Sequence, residues 1–227
     1  MKKFLIVAVL AALGSLLPAS GGARAAADFV CNGVFAGGTY NNVVVPAGGA
    51  CSLDNTTILG NVTVKSGADF TVSTSSGDST IHGSVKGDSC DFIDLEATGL
   101  SFRVVVGGDV TITNCTGFTF SGARGDSSGP PPQSMLLGGN VKCDNNAGGC
   151  VFDYVIIGEK LECNGNDGCT LNSSAVANNV TMNNNTGPGV IVDNSAIAGN
   201  LSCSGNASAS GSPNTVSGTK SGQCSGL

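Results

Sequence analysis

Six ionisable side chains near three irregular stretches of the sequence are the candidates for ligand chemistry. The chain has one histidine, and only two arginines follow residue 27. A guanidinium group binds a carboxylate through paired, charge-assisted hydrogen bonds, so this mixture predicts a binding site for a sugar acid, a peptide carboxylate or a surface polymer. The alternative is that these charges simply populate solvated loops. The six residues are Asp78, His82, Glu96, Arg103, Arg124 and Asp126.

The same sequence offers weak support for catalysis. Acid–base hydrolysis of sugars needs two carboxyl groups at a set separation, and no carboxylate pair recurs at a suitable spacing. A cysteine nucleophile is excluded if every thiol is in a disulfide. The chain has no Trp and two Tyr, so it lacks an extended aromatic platform for stacking sugars. We therefore predict no catalytic residue, no cofactor and no metal site.

The elements that must position the six residues repeat with a period near 20. A motif of an aliphatic residue, any residue, glycine, any residue and a second aliphatic residue occurs at residues 58–62, 81–85 and 106–110. Related segments recur down the chain, and a repeat of this length and content is typical of a β-solenoid, in which stacked coils bury each other's apolar faces. The second aliphatic residues are Val62, Val85, Val110, Val141, Leu161, Val180 and Leu201.

Two strands per coil follow from the alternation of apolar and polar residues. Val62 and Val64 flank Thr63 in the first strand, and Phe70 and Val72 represent the inward positions of the second. Asparagines between the two strands fall in register and are expected to hydrogen-bond to neighbouring coils. The pattern predicts about seven full coils and a capped eighth half-coil over residues 40–220. The asparagines are Asn146, Asn166, Asn185 and Asn206.

Differences in coil length fall between the second strand and the next glycine motif. Insertions at residues 74–80, 97–105 and 122–136 occur in three consecutive coils, so we expect them to emerge side by side at one corner. The six candidate residues lie in or next to these insertions. Insertions on one face of a solenoid are common places for binding sites.

The ten cysteines are expected to form five disulfides, because an even number in an exported chain is typical of a disulfide framework. Neighbouring coils stack about 4.8 Å apart, within the roughly 4.4–6.8 Å range of Cα separations in disulfides. Cysteines in the same column of adjacent coils are therefore predicted to pair. The predicted pairs are Cys31–Cys51, Cys90–Cys115, Cys143–Cys163, Cys150–Cys169 and Cys203–Cys224.

Residues 1–27 have the layout of a secretory signal peptide. Lys2 and Lys3 precede an apolar stretch and a tail of small residues, and the apolar stretch is too short for a membrane span. We therefore predict one domain, residues 28–227, that is secreted and lies outside the cell or on its surface.

The charge of this domain restricts its partners. Loss of Lys2, Lys3 and Arg24 leaves 7 basic against 16 acidic side chains, a net charge of −9. A chain this acidic repels phosphate backbones and anionic lipids. We expect neither nucleic-acid binding nor membrane insertion, and we expect a surface polysaccharide or a protein as the partner.

The repeat resembles right-handed parallel β-helix proteins of the pectin-lyase-like superfold. The opening Cys31-Asn32-Gly33, the repeated Gly-Asn-Val/Leu motif and the closing segment 214–224 resemble uncharacterised exported bacterial β-helix repeat proteins. The resemblance implies the handedness of the helix and no particular activity. The polygalacturonase strings Asn-Thr-Asp, Gly-His-Gly and Arg-Ile-Lys are absent from the chain.

The sequence thus predicts an all-β protein, a single disulfide-stapled parallel β-solenoid. The predicted function is that of a secreted structural or interaction protein without enzymatic activity. The alternative is a polysaccharide-active enzyme, lyase- or hydrolase-like, or a glycan binder, that uses the corner near His82, Arg103 and Arg124.

Overall fold

A computed structural model describes residues 27–98, 101–123 and 135–227. The predicted signal peptide lies almost entirely outside these residues, as do Arg124 and Asp126. The described chain contains 28 short strands and no helix, and all paired strands are parallel. Accordingly, no helix in this part of the chain is long and apolar enough to cross a membrane. The predicted parallel β-solenoid is confirmed.

Successive strands follow one another around the solenoid. The first fourteen are β1 (Phe29–Val30), β2 (Gly33–Ala36), β3 (Thr39–Tyr40), β4 (Val43–Val45), β5 (Ala50–Asp54), β6 (Thr57–Ile58), β7 (Val62–Val64), β8 (Asp69–Ser73), β9 (Ser79–Ile81), β10 (Val85–Asp88), β11 (Phe92–Glu96), β12 (Val104–Val106), β13 (Val110–Thr113) and β14 (Gly117–Ser121). The others are β15 (Met135–Leu137), β16 (Val141–Asp144), β17 (Cys150–Asp153), β18 (Val155–Ile157), β19 (Leu161–Asn164), β20 (Cys169–Asn172), β21 (Ala175–Val176), β22 (Val180–Asn183), β23 (Val190–Asp193), β24 (Ala196–Ile197), β25 (Leu201–Ser204), β26 (Ala209–Ser210), β27 (Thr215–Val216) and β28 (Lys220–Gly222).

Every third strand belongs to the same sheet, so the solenoid has three faces. Sheet A contains β1, β4 and so on to β28, ten strands in all. Sheet B runs from β2 to β26 and sheet C from β3 to β27, with nine strands each. The chain therefore makes about eight turns. We call the connections between the faces the A–B, B–C and C–A corners.

Side chains of one kind stack in rows because successive coils keep the same register. In sheet A, Val85 lies between Val62 and Val110, and all three side chains are buried. The outward position of the same strands holds Thr63 and Lys86. Alternation of buried and exposed side chains is the period of a strand with one face toward a core. The aliphatic rows predicted from the sequence are thus present.

The third face was not predicted. Sheet C contains the first aliphatic residue of each glycine motif, such as Ile58 in β6 and Ile81 in β9. Its strands are only two or three residues long, too short to show a visible alternation of apolar and polar residues. The solenoid also begins earlier than residue 40, because Phe29 and Val30 pair with Val43 and Val44.

The A–B corner contains a buried row of hydrogen-bonded asparagines. Asn146 donates from its backbone N–H and from Nδ2 to Oδ1 of Asn166, both at 2.9 Å. Asn166 and Asn185 repeat this pattern toward the next coil, and Gln223 accepts from the backbone N–H of Asn206 at 2.8 Å. Each amide side chain thereby satisfies buried backbone groups of its neighbour. The predicted asparagine stacking is confirmed.

The same row continues toward the N-terminus as a disulfide. Cys115 donates its backbone N–H to Oδ1 of Asn146 at 2.9 Å, and Cys115 is bonded to Cys90 one coil earlier. We call the whole row the asparagine column. The residue before each member has a positive φ, between 55° and 69°, a conformation that glycine and asparagine adopt at low cost. The column comprises Cys90, Cys115, Asn146, Asn166, Asn185 and Asn206.

Four cysteine pairs lie at disulfide distance, and three of them join adjacent coils. These three are Cys31–Cys51, Cys90–Cys115 and Cys203–Cys224, with Cα separations of 5.4, 4.5 and 5.3 Å, and each is also a pair expected from the sequence.

The remaining four cysteines do not pair as predicted. Cys163 bonds to Cys169 within one coil, at a Cα separation of 6.6 Å, and leaves Cys143 and Cys150 as buried free thiols. The predicted pairs Cys143–Cys163 and Cys150–Cys169 are therefore absent. Both pairs are register neighbours, as expected, but Cys163 and Cys169 also face each other across the A–B corner. Column position alone did not distinguish the two partners of each thiol.

Candidate functional site

The B–C corner collects the described parts of the predicted insertions. Segment 74–78 connects β8 to β9, segment 97–103 connects β11 to β12, and β9 pairs directly with β12. Arg103 donates its backbone N–H to Oδ1 of Asp78 at 2.8 Å, and Ser79 donates to the carbonyl of Arg103 at 2.9 Å. The structure therefore brings Asp78 and Arg103 together in adjacent coils, with both side chains exposed.

His82 and Glu96 are not part of this contact. Glu96 ends β11 on sheet B and is exposed at the start of the B–C corner. His82 follows β9 and is exposed at the C–A corner, at the other end of a sheet-C strand from Asp78. Four residue steps of extended chain lead from Asp78 to His82, about 13 Å at roughly 3.3 Å per step. Of the six candidates, four are described, and two of these meet.

Carboxylates along the edge of sheet B have a structural role of their own. Asp54 accepts hydrogen bonds from the side chain and the backbone N–H of Ser75, the latter at 2.8 Å. The side-chain hydrogen bond from Ser75 is the main reason why the pKa of Asp54 lies below its ordinary value. Asp193 likewise accepts from the backbone N–H of Ser212 at 2.9 Å. These carboxylates hold the loops that leave sheet B.

One carboxyl group on the outer face of sheet B, that of Asp94, has a raised pKa. Asp94 is half-buried between Thr71 and Thr119 of the neighbouring strands. Burial, with a smaller contribution from the nearby negative charge of Glu96, raises the pKa of Asp94 above its ordinary value. A carboxyl group with a raised pKa beside a second carboxylate is an arrangement found at acid–base sites.

Sheet A carries a shallow polar groove that was not predicted from the sequence. Its volume is about 250 Å³. The floor is formed by Thr111, Lys142 and Glu162, the outward residues of three neighbouring strands. Asp109, Asn140 and Lys160 line the side toward the C–A corner. The groove therefore combines carboxylate, amide, hydroxyl and ammonium groups on one open surface.

The groove lies where a regular row of hydrogen bonds is interrupted. Along the C–A corner, Asn42 Oδ1 accepts the backbone N–H of Asn61 at 2.9 Å, and Asn61 Oδ1 accepts that of Ser84 at 2.8 Å. Ser84 Oγ then accepts from Asp109 at 3.1 Å, and Asp109 Oδ1 accepts from Asn140 at 2.8 Å. We call this row the corner ladder. Each step joins a side-chain oxygen to the backbone of the next coil.

The next position in the corner ladder is Lys160, whose side chain has no acceptor atom. Within the described residues, no hydrogen bond of this type joins Asn140 to Lys160 or Lys160 to Asn179. The ladder resumes at Asn179, whose Oδ1 accepts from the backbone N–H of Asn200 at 2.8 Å. The interruption leaves Oδ1 of Asn140 without its usual partner at the edge of the groove.

The glycine that precedes the ladder residue in the coils before the groove is replaced in the coil of Lys160. A Cβ atom on Gly108 would lie 2.8 Å from the carbonyl carbon of Gly83, and one on Gly139 would lie 2.8 Å from the carbonyl oxygen of Gly108. Backbones approach too closely there for any side chain. The corresponding position of the next coil holds Glu159, which is exposed together with Lys160. Gly158 of the same coil still packs closely, since its Cβ atom would lie 2.5 Å from the carbonyl oxygen of Gly138, so the difference in this coil is the side chain at position 159.

Charges around the groove are only partly neutralised. Lys142 pairs with Asp144 at 3.0 Å, and this hydrogen bond, with a smaller contribution from Glu162, raises the pKa of the Lys142 ammonium. In the part of the chain that the structure describes, Lys160 makes no ion pair or side-chain hydrogen bond. A column alignment one position before Val141 and Leu161 shows Asn140 replaced by Lys160, which is the sequence signal for the groove.

Comparisons with known proteins add no family or relative. No family model, no curated protein and no solved structure matches the chain.

Proposed function

We propose that the protein is a secreted interaction protein of the cell surface or extracellular space, and that its solenoid holds a polar polymer across the groove of sheet A. The observation that carries this proposal is the coincidence of the groove with the interrupted corner ladder. At that position a lysine stands where the preceding and following members of the ladder have an acceptor side chain, and in the described part of the chain Oδ1 of the exposed Asn140 accepts no backbone hydrogen bond from the next coil.

The chemistry of the groove suits a hydroxyl-rich ligand such as a polysaccharide. Sugar hydroxyls donate to carboxylate and amide oxygens and accept from ammonium groups, and hydrogen bonds to charged groups are the stronger ones. Glu162, Asn140 and Lys160 supply all three kinds of group. An open groove on a flat sheet fits a polymer that lies across the coils better than a small molecule that must be enclosed.

Export supports the proposal without depending on the groove. Four cysteine pairs at disulfide distance favour an oxidising compartment, because disulfides form and persist outside the reducing cytosol. The basic and apolar N-terminal segment and the resemblance to exported bacterial β-helix proteins are consistent with the same location.

The direct test is a glycan array probed with the purified protein, followed by affinity measurements on the best ligand. Lys160→Ala and Glu162→Ala are expected to weaken binding about tenfold each, the loss of roughly 1.4 kcal/mol of interaction energy. Lys65→Ala is the matched control, because Lys65 is exposed at the A–B corner away from the groove. Unchanged binding by both groove variants, together with loss of binding by Arg103→Ala, would move the site to the B–C corner.

A second candidate function is that of a polysaccharide-active enzyme on sheet B. The observation that favours it is the raised pKa of Asp94 beside Glu96, since a protonated carboxyl group can act as a general acid. Release of reducing or unsaturated sugar ends would support it, provided that Asp94→Asn abolishes the release. Ligand binding without turnover would favour the interaction protein instead.

A further inference from the structure

Four buried cysteines form a two-by-two block inside two consecutive coils. Cys143 and Cys163 are register neighbours in sheet A, and Cys150 and Cys169 are register neighbours in sheet B. All four side chains are at most 2% exposed. The block therefore has two ways to form two disulfides, either between the coils or within each coil.

We call the coil that contains Cys143 and Cys150 the upper coil and the next coil, which contains Cys163 and Cys169, the lower coil. The lower coil forms its disulfide across the A–B corner. Cys163 and Cys169 lie on either side of Asn166, which belongs to the asparagine column. The upper coil repeats this arrangement, with Cys143 and Cys150 on either side of Asn146.

In each coil the asparagine amide lies close to one of the two cysteines, the sheet-A cysteine in one coil and the sheet-B cysteine in the other. The Asn166 amide lies 3.4 Å from Sγ of Cys163, and the Asn146 amide lies 3.8 Å from Sγ of Cys150. Burial, followed by the interaction with the nearby Cys150 thiol, raises the pKa of Cys143. The two cysteines of the upper coil thus lie near each other in one core.

We propose that Cys143 and Cys150 form a fifth disulfide, stacked directly on Cys163–Cys169. Parity supports this assignment, because the other eight cysteines are already paired and all ten lie in the described residues. The protein then has two kinds of cross-link. Three disulfides tie one coil to the next, and two tie sheet A to sheet B within a coil.

The bond needs an oxidant, which we identify as a disulfide of the export compartment, either a thiol–disulfide oxidoreductase or a small-molecule disulfide. The Cys143 thiolate attacks one sulfur of the oxidant and releases its other sulfur as a thiolate. The Cys150 thiolate then attacks Sγ of Cys143 and releases the second sulfur. The two cysteines lose two electrons and two protons in total, and the oxidant is reduced to two thiols.

The burial of Cys143 and Cys150 determines when their disulfide can form. In the folded protein neither thiol is accessible to an oxidant, and burial raises the pKa of Cys143 so that little thiolate is present. Oxidation is therefore expected while the two coils are still open during folding. A protein folded under reducing conditions should keep both thiols protected from oxidants.

Tryptic mapping of the unmodified protein distinguishes the pairings, because trypsin cuts after Lys142, Lys160 and Lys220. Peptide 143–160 holds Cys143 and Cys150, and peptide 161–220 holds Cys163, Cys169 and Cys203, the last of which bonds to Cys224 in peptide 221–227. Protein secreted into an oxidising compartment is denatured without reductant in the presence of N-ethylmaleimide and then digested. Peptide 143–160 is expected to appear alone, unalkylated and two hydrogen atoms lighter than its reduced form.

Two results would overturn the proposal. Peptide 143–160 linked covalently to peptide 161–220 would show that the disulfides run between the coils. Peptide 143–160 carrying two maleimide groups would show that both thiols stay reduced. The control is protein reduced before alkylation, in which peptide 143–160 must carry two maleimide groups and prove that both cysteines are detectable.

Discussion

The two halves of the solenoid stack their coils in the same register but treat their corners differently. From Val141 onward, sheet-A strands start at Leu161, Val180, Leu201 and Lys220, 19 to 21 residues apart, and the asparagine column is unbroken. Between Val62 and Val141 the spacing grows to between 23 and 31 residues, and the column consists of the Cys90–Cys115 disulfide. Coils can therefore contain extra residues and still stack, as long as the extra residues project from one corner. At the A–B corner, neighbouring coils are joined by asparagine hydrogen bonds in one half of the solenoid and by a disulfide in the other.

The largest expected effect comes from breaking the column in the regular half. Asn166 accepts two hydrogen bonds from Asn146 and donates to the carbonyl of Cys143 at 2.9 Å and to Asn185. Asn166→Ala leaves several buried polar groups unpaired, at roughly 1–3 kcal/mol each, so we expect a loss of about 4 kcal/mol in the free energy of unfolding. Urea denaturation measures it. Thr170→Ala on the outer face of β20 is the control and should change stability by less than about 0.5 kcal/mol.

A somewhat smaller effect is expected from the disulfide of the irregular half. Cys90→Ala with Cys115→Ala opens a loop of 25 residues and should cost about 3 kcal/mol. The sharper variant is Cys90→Asn with Cys115→Asn, which extends the asparagine column by two members. If amide and disulfide are interchangeable at this corner, the asparagine variant recovers more than half of the loss in thermal or urea unfolding. Equal instability of both double variants would contradict that equivalence.

A modest gain in stability is expected from repairing the corner ladder. Glu159→Gly with Lys160→Asn restores the glycine packing and the side-chain acceptor found in the N-terminal coils. Asn179 already donates its backbone N–H to Oδ1 of Asn178, so the variant recovers one surface hydrogen bond, from the backbone N–H of residue 160 to Oδ1 of Asn140. This bond should stabilise the protein by about 1 kcal/mol. The same variant should bind the ligand found on the glycan array about tenfold more weakly, because it removes the ammonium group from the groove. A variant that gains stability and retains full binding would show that ligand binding does not depend on the interruption of the corner ladder.

The smallest effect concerns pH and Asp94. The pKa of Asp94 is raised in the folded protein above 3.8, so the folded state retains a proton that the unfolded chain has released. Stability contributed by this proton is present at low pH and lost as pH rises through the raised pKa. Asp94→Asn should therefore stabilise the protein relative to the parent above this range and not below it. Thermal midpoints measured from about pH 3 to pH 7 test the sign, with Asp91→Asn as the control.

The sequence was sufficient for those parts of the fold that rest on alternation in strands of three to five residues. The rows of sheets A and B were predicted for this reason. The asparagine column followed from the register between the strands, and the insertion corner from differences in coil length. Sheet C was missed because strands such as β6 and β21 contain two residues and have no period. His82 was assigned to the wrong corner as a consequence, because the strand between Asp78 and His82 was not recognised.

The groove and the cysteine block required coordinates for a different reason. A missing hydrogen bond at Lys160 becomes visible only when the bonds on either side of it are known. Cys163 has a neighbour in its column and another across the corner, and a one-dimensional pattern gives no distance with which to choose between them. The repeat period of the sequence indicates contacts between coils, whereas contacts within a coil depend on the shape of the turn.

The close backbone packing at Gly108 and Gly139 has a practical consequence for protein engineering. A peptide grafted at the C–A corner would have to force two coils apart, whereas the B–C corner already carries segments of several lengths between sheet B and sheet C. Foreign epitopes or enzymes inserted at neighbouring B–C corners would be displayed in a line, at a pitch of about 4.8 Å per turn. The inserted segments would then all project from one edge of the solenoid at regular intervals.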